Sequence, residues 1–182
     1  MPESLGNSIN INCCVDPDHA GNQVMRQSHT KIIIFVNMAP ITWQCKKQNT
    51  VESLSYGSEF IALRTACEMV GALWYKSWML GVPLKGPARM MCDNASVVYN
   101  VSFPESTMKK KHLSICYHCV REFVASKKLQ LIYEQSKSNI VDLLTKVLTP
   151  NLRKPLIDSV LSWSSFMQII VIQTYGLSGV LK

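Results

Sequence analysis

Residues 31–45 read KIIIFVNMAPITWQC. The β-branched and aromatic density of Lys31–Val36 predicts a strand, Asn37–Pro40 a short turn, and Ile41–Cys45 a returning strand, so the stretch predicts a β-hairpin. Working outward, residues 8–15 (SININCCV) predict an earlier strand. It stops at the turn-rich Asp16-Pro17-Asp18-His19-Ala20-Gly21-Asn22. If that strand is central, Pro17 removes a ladder hydrogen bond and distorts the chain at Asp16.

Downstream the period changes. Over Ser58–Leu80, apolar residues recur at Ile61, Ala62, Ala66, Met69, Val70, Leu73, Trp74 and Met79, the spacing of a helix. Ser58 is its expected cap and Gly81-Val82-Pro83 its stop. Arg89–Cys92 predicts a short buried strand, and Asn94 caps a short helix through Asn100, with Pro104 beyond it. Lys109–Ser126 predicts another helix, Leu129–Tyr133 a strand, and Asn139–Val147 a last core helix. This is an α/β order: an antiparallel meander, then strands joined through helices by right-handed crossovers. The expected organisation is an N-terminal extension over 1–8, one domain over 9–150 and a C-terminal extension over 151–182. In the extension, Leu152, Leu156, Ile157, Val160 and Leu161 form an amphipathic stripe. Phe166–Leu181 is apolar, but too short and interrupted for a membrane span.

With 182 residues and 47% apolar content, the chain can bury a sizeable core, which excludes global disorder. A net charge of +7 favours a polyanionic partner such as nucleic acid. Seven cysteines form no regular framework, and no signal peptide opens the chain. Free thiols in a reducing intracellular compartment, cytoplasm or nucleus, are expected rather than secretion.

Four acids carry the chemistry. Asp16 follows Ile9–Val15, Glu59 heads Glu59–Leu80, Asp93 follows Arg89–Cys92 and Asp142 lies inside Ile140–Leu144, so strand ends and helix starts must bring them together. Clustered carboxylate oxygens suit hard divalent ions, and paired ions about 4 Å apart cut phosphodiester bonds. The densest basic run is Lys109-Lys110-Lys111-His112, and Lys46-Lys47 follows the hairpin; both are candidate phosphate contacts. Asn94 is placed to reach a sugar or to cap its helix. His112, Cys116 and Cys119 share a helical face at i, i+4 and i+7; a zinc site there would need a fourth ligand, and none is evident. No serine or cysteine nucleophile has a recognisable setting, and there is no Gly-rich phosphate loop.

Six segments taken in order resemble the ribonuclease H domain of copia-type LTR retrotransposon polyproteins. They are Asp16-Pro17-Asp18-His19-Ala20-Gly21, Ile41-Thr42-Trp43 with Lys46-Lys47-Gln48, Glu59-Phe60-Ile61-Ala62-Leu63, Cys92-Asp93-Asn94, Lys111-His112 with Tyr117-His118 and Arg121-Glu122, and Asp142-Leu143-Leu144-Thr145-Lys146. The resemblance runs from about Ile9 to about Pro155. It implies a ribonuclease H-like fold: a five-stranded mixed sheet in order 3-2-1-4-5 with helices on both faces. It implies hydrolysis of the RNA strand of RNA–DNA hybrids by Asp16, Glu59, Asp93 and Asp142 holding two Mg²⁺ ions, with Mn²⁺ as an alternative and Asp18 as a second-choice ligand. The expected partners are the hybrid and the reverse transcriptase domain of the same polyprotein, of which this chain would be a fragment. Lys31 stands where the family often has glycine. The rival expectation is a decayed element remnant that at most binds nucleic acid passively; a thiol- or zinc-based interaction protein is a third.

Overall fold

The computed structural model describes residues 6–21, 24–103, 105–106, 111–135, 139–144 and 148–161. Strands β1 (Ile11–Asp18), β2 (His29–Val36), β3 (Ala39–Lys47), β4 (Ala88–Cys92) and β5 (Leu129–Tyr133) form one sheet in order β3-β2-β1-β4-β5. The first three run antiparallel, as the hairpin predicts; β4 is parallel to β1 and β5 to β4. This is the mixed sheet of the ribonuclease H-like fold. Asn37, left-handed at φ +56°, turns the chain between β2 and β3, and its side-chain oxygen accepts from the Asn10 N–H at 3.0 Å.

Because side chains alternate across a strand, the two faces of the sheet carry different cores. Ile11, Cys13 and Val15 of β1 join Ile32 and Ile34 of β2 and Met90 of β4 in the larger cluster. It is covered by helices α1 (Ser55–Met79), α2 (Ala95–Ser102) and α3 (Ser114–Ala125). Phe60 and Tyr117 meet edge-to-face at its centre, with ring centroids 5.6 Å apart. On the other face Cys14, Ile33, Phe35 and Met91 pack under a 3₁₀ turn, Ile140–Leu144, and under α4 (Pro150–Leu161), which buries Leu156 there.

Several boundaries differ from the sequence reading. Strand β1 starts later than Ser8 and runs on through Asp18. Helix α1 begins at Ser55, and Ser58 does not cap it: its hydroxyl donates back to the Ser55 carbonyl at 2.7 Å, inside the first turn. Gly57 permits this early start, since a side chain there would collide with the Glu52 carboxylate. Asn94 does cap α2, its Oδ1 accepting from the Val97 N–H at 3.2 Å. Lys111–Leu113 is a 3₁₀ turn, and α3 begins only at Ser114. The expected helix over Asn139–Val147 is, in its described part, the 3₁₀ turn: the Asp142 N–H donates to the Asn139 carbonyl, three residues back. Among the described residues no helix is long and apolar enough to cross a membrane; the apolar run Phe166–Leu181 lies outside them.

Candidate active site

The site is built from the middle of the sheet outward. Just outside the two strands, the Asn37 N–H donates to the Asn10 carbonyl at 2.7 Å, which sets the alternation of the β1–β2 ladder. Asp16 then lies directly opposite Lys31 as a hydrogen-bonded pair, and Pro17 opposite Thr30 as a non-hydrogen-bonded one. The missing N–H of Pro17 would have pointed toward β4, whose pairing with β1 covers only Asn12–Cys14. The proline therefore removes no ladder bond, and the strand continues undistorted past Asp16.

Residues directly opposite in an antiparallel pair share a face, so Lys31 emerges beside Asp16. Its side chain is fully buried, and its Nζ lies 2.6 Å from Asp16 Oδ2 and 3.5 Å from Asp142 Oδ1. Asp142 is carried by the 3₁₀ turn that closes over this face. Asn139 shapes that turn: its side-chain oxygen accepts from the Val141 N–H and its carbonyl from the Asp142 N–H.

The other two acids come from the opposite side. Glu59 sits in the first turns of α1. Gln48 holds that helix end to the sheet, its Nε2 donating to the Ser58 carbonyl and to Thr30 Oγ1, both at 3.0 Å. Asp93 falls between the end of β4 and the Asn94 cap of α2. The Cys92 thiol donates to Glu59 Oε2 at 3.7 Å. Among the described residues, Glu59, Cys92 and Asp93 form one group whose ligand atoms all lie within 4.8 Å of one another.

The electrostatics tie the two halves together. Burial pushes the Asp16 carboxyl up; the Lys31 ammonium pulls it down by hydrogen bond and charge; the Asp93 and Asp142 carboxylates raise it again, leaving it at about 6. Glu59 is pushed up to about 9, by burial first, then by the charges of Asp93 and Asp16 and a hydrogen bond with Asp93; only the Cys92 thiol opposes. Asp16 thus feels the charges of Asp93 and Asp142, and Glu59 those of Asp16 and Asp93, so Asp16 links the two ends. Burial pushes the Cys92 thiol well above its ordinary value, so it serves as a donor to Glu59 rather than as a thiolate.

Asp18 stands apart. Its carboxylate accepts from the His29 N–H, faces His29 Nδ1 at 3.3 Å and packs against Gly21, which closes the end of the β1–β2 ladder. Lys46 and Lys47 are exposed at the end of the edge strand β3. With Gln48, Asn49 and Arg64 they line a cleft of about 480 Å³ between β3, α1 and the start of α3, to which Glu52 and Glu68 add negative charge. Asn94 spends its side-chain oxygen on the α2 cap. Lys111 is exposed on its 3₁₀ turn; Lys109, Lys110 and the side chain of His112 lie outside the described residues. Cys116 is buried and Cys119 half-buried. Sequence reading missed two participants. Cys92 was not legible, because alternation along β4 points it away from its neighbour and only the packing of α1 on that face shows that it meets Glu59. Nor was Lys31, because the loop between β1 and β2 is too long to fix which residues pair.

The donor set fits a hard divalent ion at the Glu59–Asp93 end, where carboxylate oxygens converge. At the other end the place between Asp16 and Asp142 is taken by the Lys31 ammonium. The pair of ions expected from the resemblance therefore does not fit beside Lys31.

No family model matches the chain. It is 31% identical over 147 residues to the retrovirus-related Pol polyprotein from transposon RE1 of Arabidopsis thaliana, and 29% identical over 147 residues to that from transposon RE2 of the same plant. Each alignment covers 79% of this chain and 10% of the relative, so the chain spans about a tenth of the length of the curated relatives it matches. RNase H1 from the archaeon Halobacterium salinarum is similar in structure at a TM-score of 0.55, covering 72% of this chain and 90% of that one at 10% identity. LC11-RNase H1, solved in complex with an RNA/DNA hybrid, gives a TM-score of 0.55, covering 71% and 88% at 13% identity. At those identities the structural likeness establishes the fold, and the polyprotein matches supply the lineage. The chain is a ribonuclease H-like domain related to retrotransposon Pol polyproteins.

Proposed function

We propose that this domain binds RNA–DNA hybrids and hydrolyses their RNA strand, as one segment of a copia-type retrotransposon polyprotein. The observation that carries the reading is the convergence of Asp16, Glu59, Asp93 and Asp142 from four separate elements at one end of the central strands. A structural neighbour solved with an RNA/DNA hybrid and relatives that are Pol polyproteins support the substrate class. The residues divide the work. Glu59 and Asp93 would hold a divalent ion, Mg²⁺ or Mn²⁺, which when bound supplies positive charge to a phosphodiester and acidifies water. Asp16, which feels both the Lys31 ammonium and the Asp93 charge, would take a proton from a water near the scissile phosphate. Lys31 keeps Asp16 and Asp142 oriented and compensates their charge. Lys46, Lys47 and Lys111 are exposed for phosphate contact, which positions a duplex without reading its sequence. The reverse transcriptase segment of the same polyprotein is the expected neighbour in the longer chain.

The test is cleavage of an end-labelled RNA–DNA hybrid by the full chain in Mg²⁺ and in Mn²⁺. The reading expects RNA-strand products that vanish in Asp93→Asn while hybrid binding persists. A wild-type chain that binds hybrid and leaves it intact in both ions contradicts it. That result would favour a passive nucleic-acid-binding remnant, a reading supported by the lysine lodged among the acids. Lys46→Ala with Lys47→Ala should weaken hybrid binding for all sequences alike and lower its salt dependence.

A further inference from the structure

The central acids of this domain are already partly neutralised from within. Lys31 has no exposed surface, arises from a strand flanked on both sides by its neighbours in the sheet, and points its ammonium between Asp16 and Asp142. It has nowhere to retreat: leaving the pair would bury an unpaired ammonium, and its cross-strand register with Asp16 fixes the side from which it enters. A divalent ion bridging Asp16 and Asp142 would have to share their oxygens with that ammonium at a separation of a few ångströms. The repulsion would be twice that between two single charges. The charge count agrees. With all four acids ionised, as ion binding would require, the carboxylates and Lys31 among the described residues carry a net −3, which one dication reduces to −1 and two dications invert to +1 around a buried cation.

We propose that Lys31 is a resident cation standing in for one divalent ion, so that the chain takes up a single ion, at Glu59 and Asp93, instead of two. This rests on the acid cluster being an ion site, as argued above, but not on hybrid being cleaved. Lys31 would then be a positioning residue that sets the ion count and confines ion binding to one end of the cluster.

The experiment is a titration of the full chain with Mn²⁺ at neutral pH, with free ion followed by electron paramagnetic resonance. Wild type is expected to bind one Mn²⁺, with affinity reduced more than about tenfold by Glu59→Gln or Asp93→Asn. Lys31→Gly is expected to bind two, and Lys31→Gly with Asp142→Asn to return to one. Two ions in wild type that both depend on the four acids overturn the proposal, as does a Lys31→Gly chain that is folded by circular dichroism and binds no more ion than wild type. No ion bound by wild type overturns it too. Should Lys31→Gly fail to fold, the wild-type count still decides between one ion and two. The two readings fail separately: one bound ion with uncut hybrid refutes the nuclease reading alone, and cleavage with two bound ions refutes the resident cation alone.

Discussion

The two ends of the acid cluster solve the same problem by different means. At one end Asp16 and Asp142 face a buried ammonium, and Asp16 rises only to about 6 although burial and two further carboxylates push on it. At the other end Glu59 lies beside Asp93 and a thiol, and it rises to about 9. One end is compensated by a lysine, the other by a proton. The comparison teaches that acids brought together by a fold do not by themselves make an ion site. What already neutralises each of them decides which can receive an ion.

The largest expected effect is on the proton-compensated end. The folded pKa of Glu59, about 9, lies above its ordinary 4.5. Between those values the folded chain holds a proton that the unfolded chain has released, so stability falls as pH rises and the contribution is fully lost above about pH 9. Asp16 has the same sign over the narrower window from 3.8 to about 6. Urea unfolding in chelator should therefore show a loss on the order of several kcal/mol between pH 5 and pH 9. Glu59→Gln should flatten most of it, and a pH-independent midpoint would break the contrast. Next is the lysine-compensated end. Lys31→Met keeps the length and removes the buried charge that Asp16 and Asp142 face, and should cost about 3–5 kcal/mol at neutral pH. Asp16→Asn keeps an acceptor for Lys31 but loses the charge-assisted bond, and should cost about 2 kcal/mol by the same measurement. The smallest effect marks the scale. Arg64→Ala removes an exposed ion pair with Glu68 and should change stability by less than about 0.5 kcal/mol.

Much of the fold was legible because its signals are local. The β2–β3 hairpin, the span of β5 and the Asn94 cap each follow from a few adjacent residues, although β3 begins at Ala39, two residues before the expected strand. Asp16, Glu59 and Asp93 stand at the ends of apolar runs, and Asp142, inside one, was marked by the resemblance. Other features depend on contacts between distant parts of the chain. Helix α1 starts three residues before Ser58, because Gly57 lets the Glu52 carboxylate pass close to the helix start. The apolar run at Ile140–Leu144 has the composition of a helix, but Asn139 directs it into a tighter turn that delivers Asp142. Pro17 reads as a break in a central strand, yet its position in the ladder faces past the end of the β1–β4 pairing. Lys31 at the head of KIIIFV reads as a polar strand end; only the register with β1 shows that it faces Asp16.

The most direct test is a crystal structure of the full chain grown with Mn²⁺, with the ions located by anomalous scattering. A single peak coordinated by Glu59 and Asp93, with Lys31 Nζ still within hydrogen-bond reach of Asp16 and Asp142, is the expected result. Two peaks bridged by Asp16, with Lys31 displaced from between the carboxylates, would contradict it.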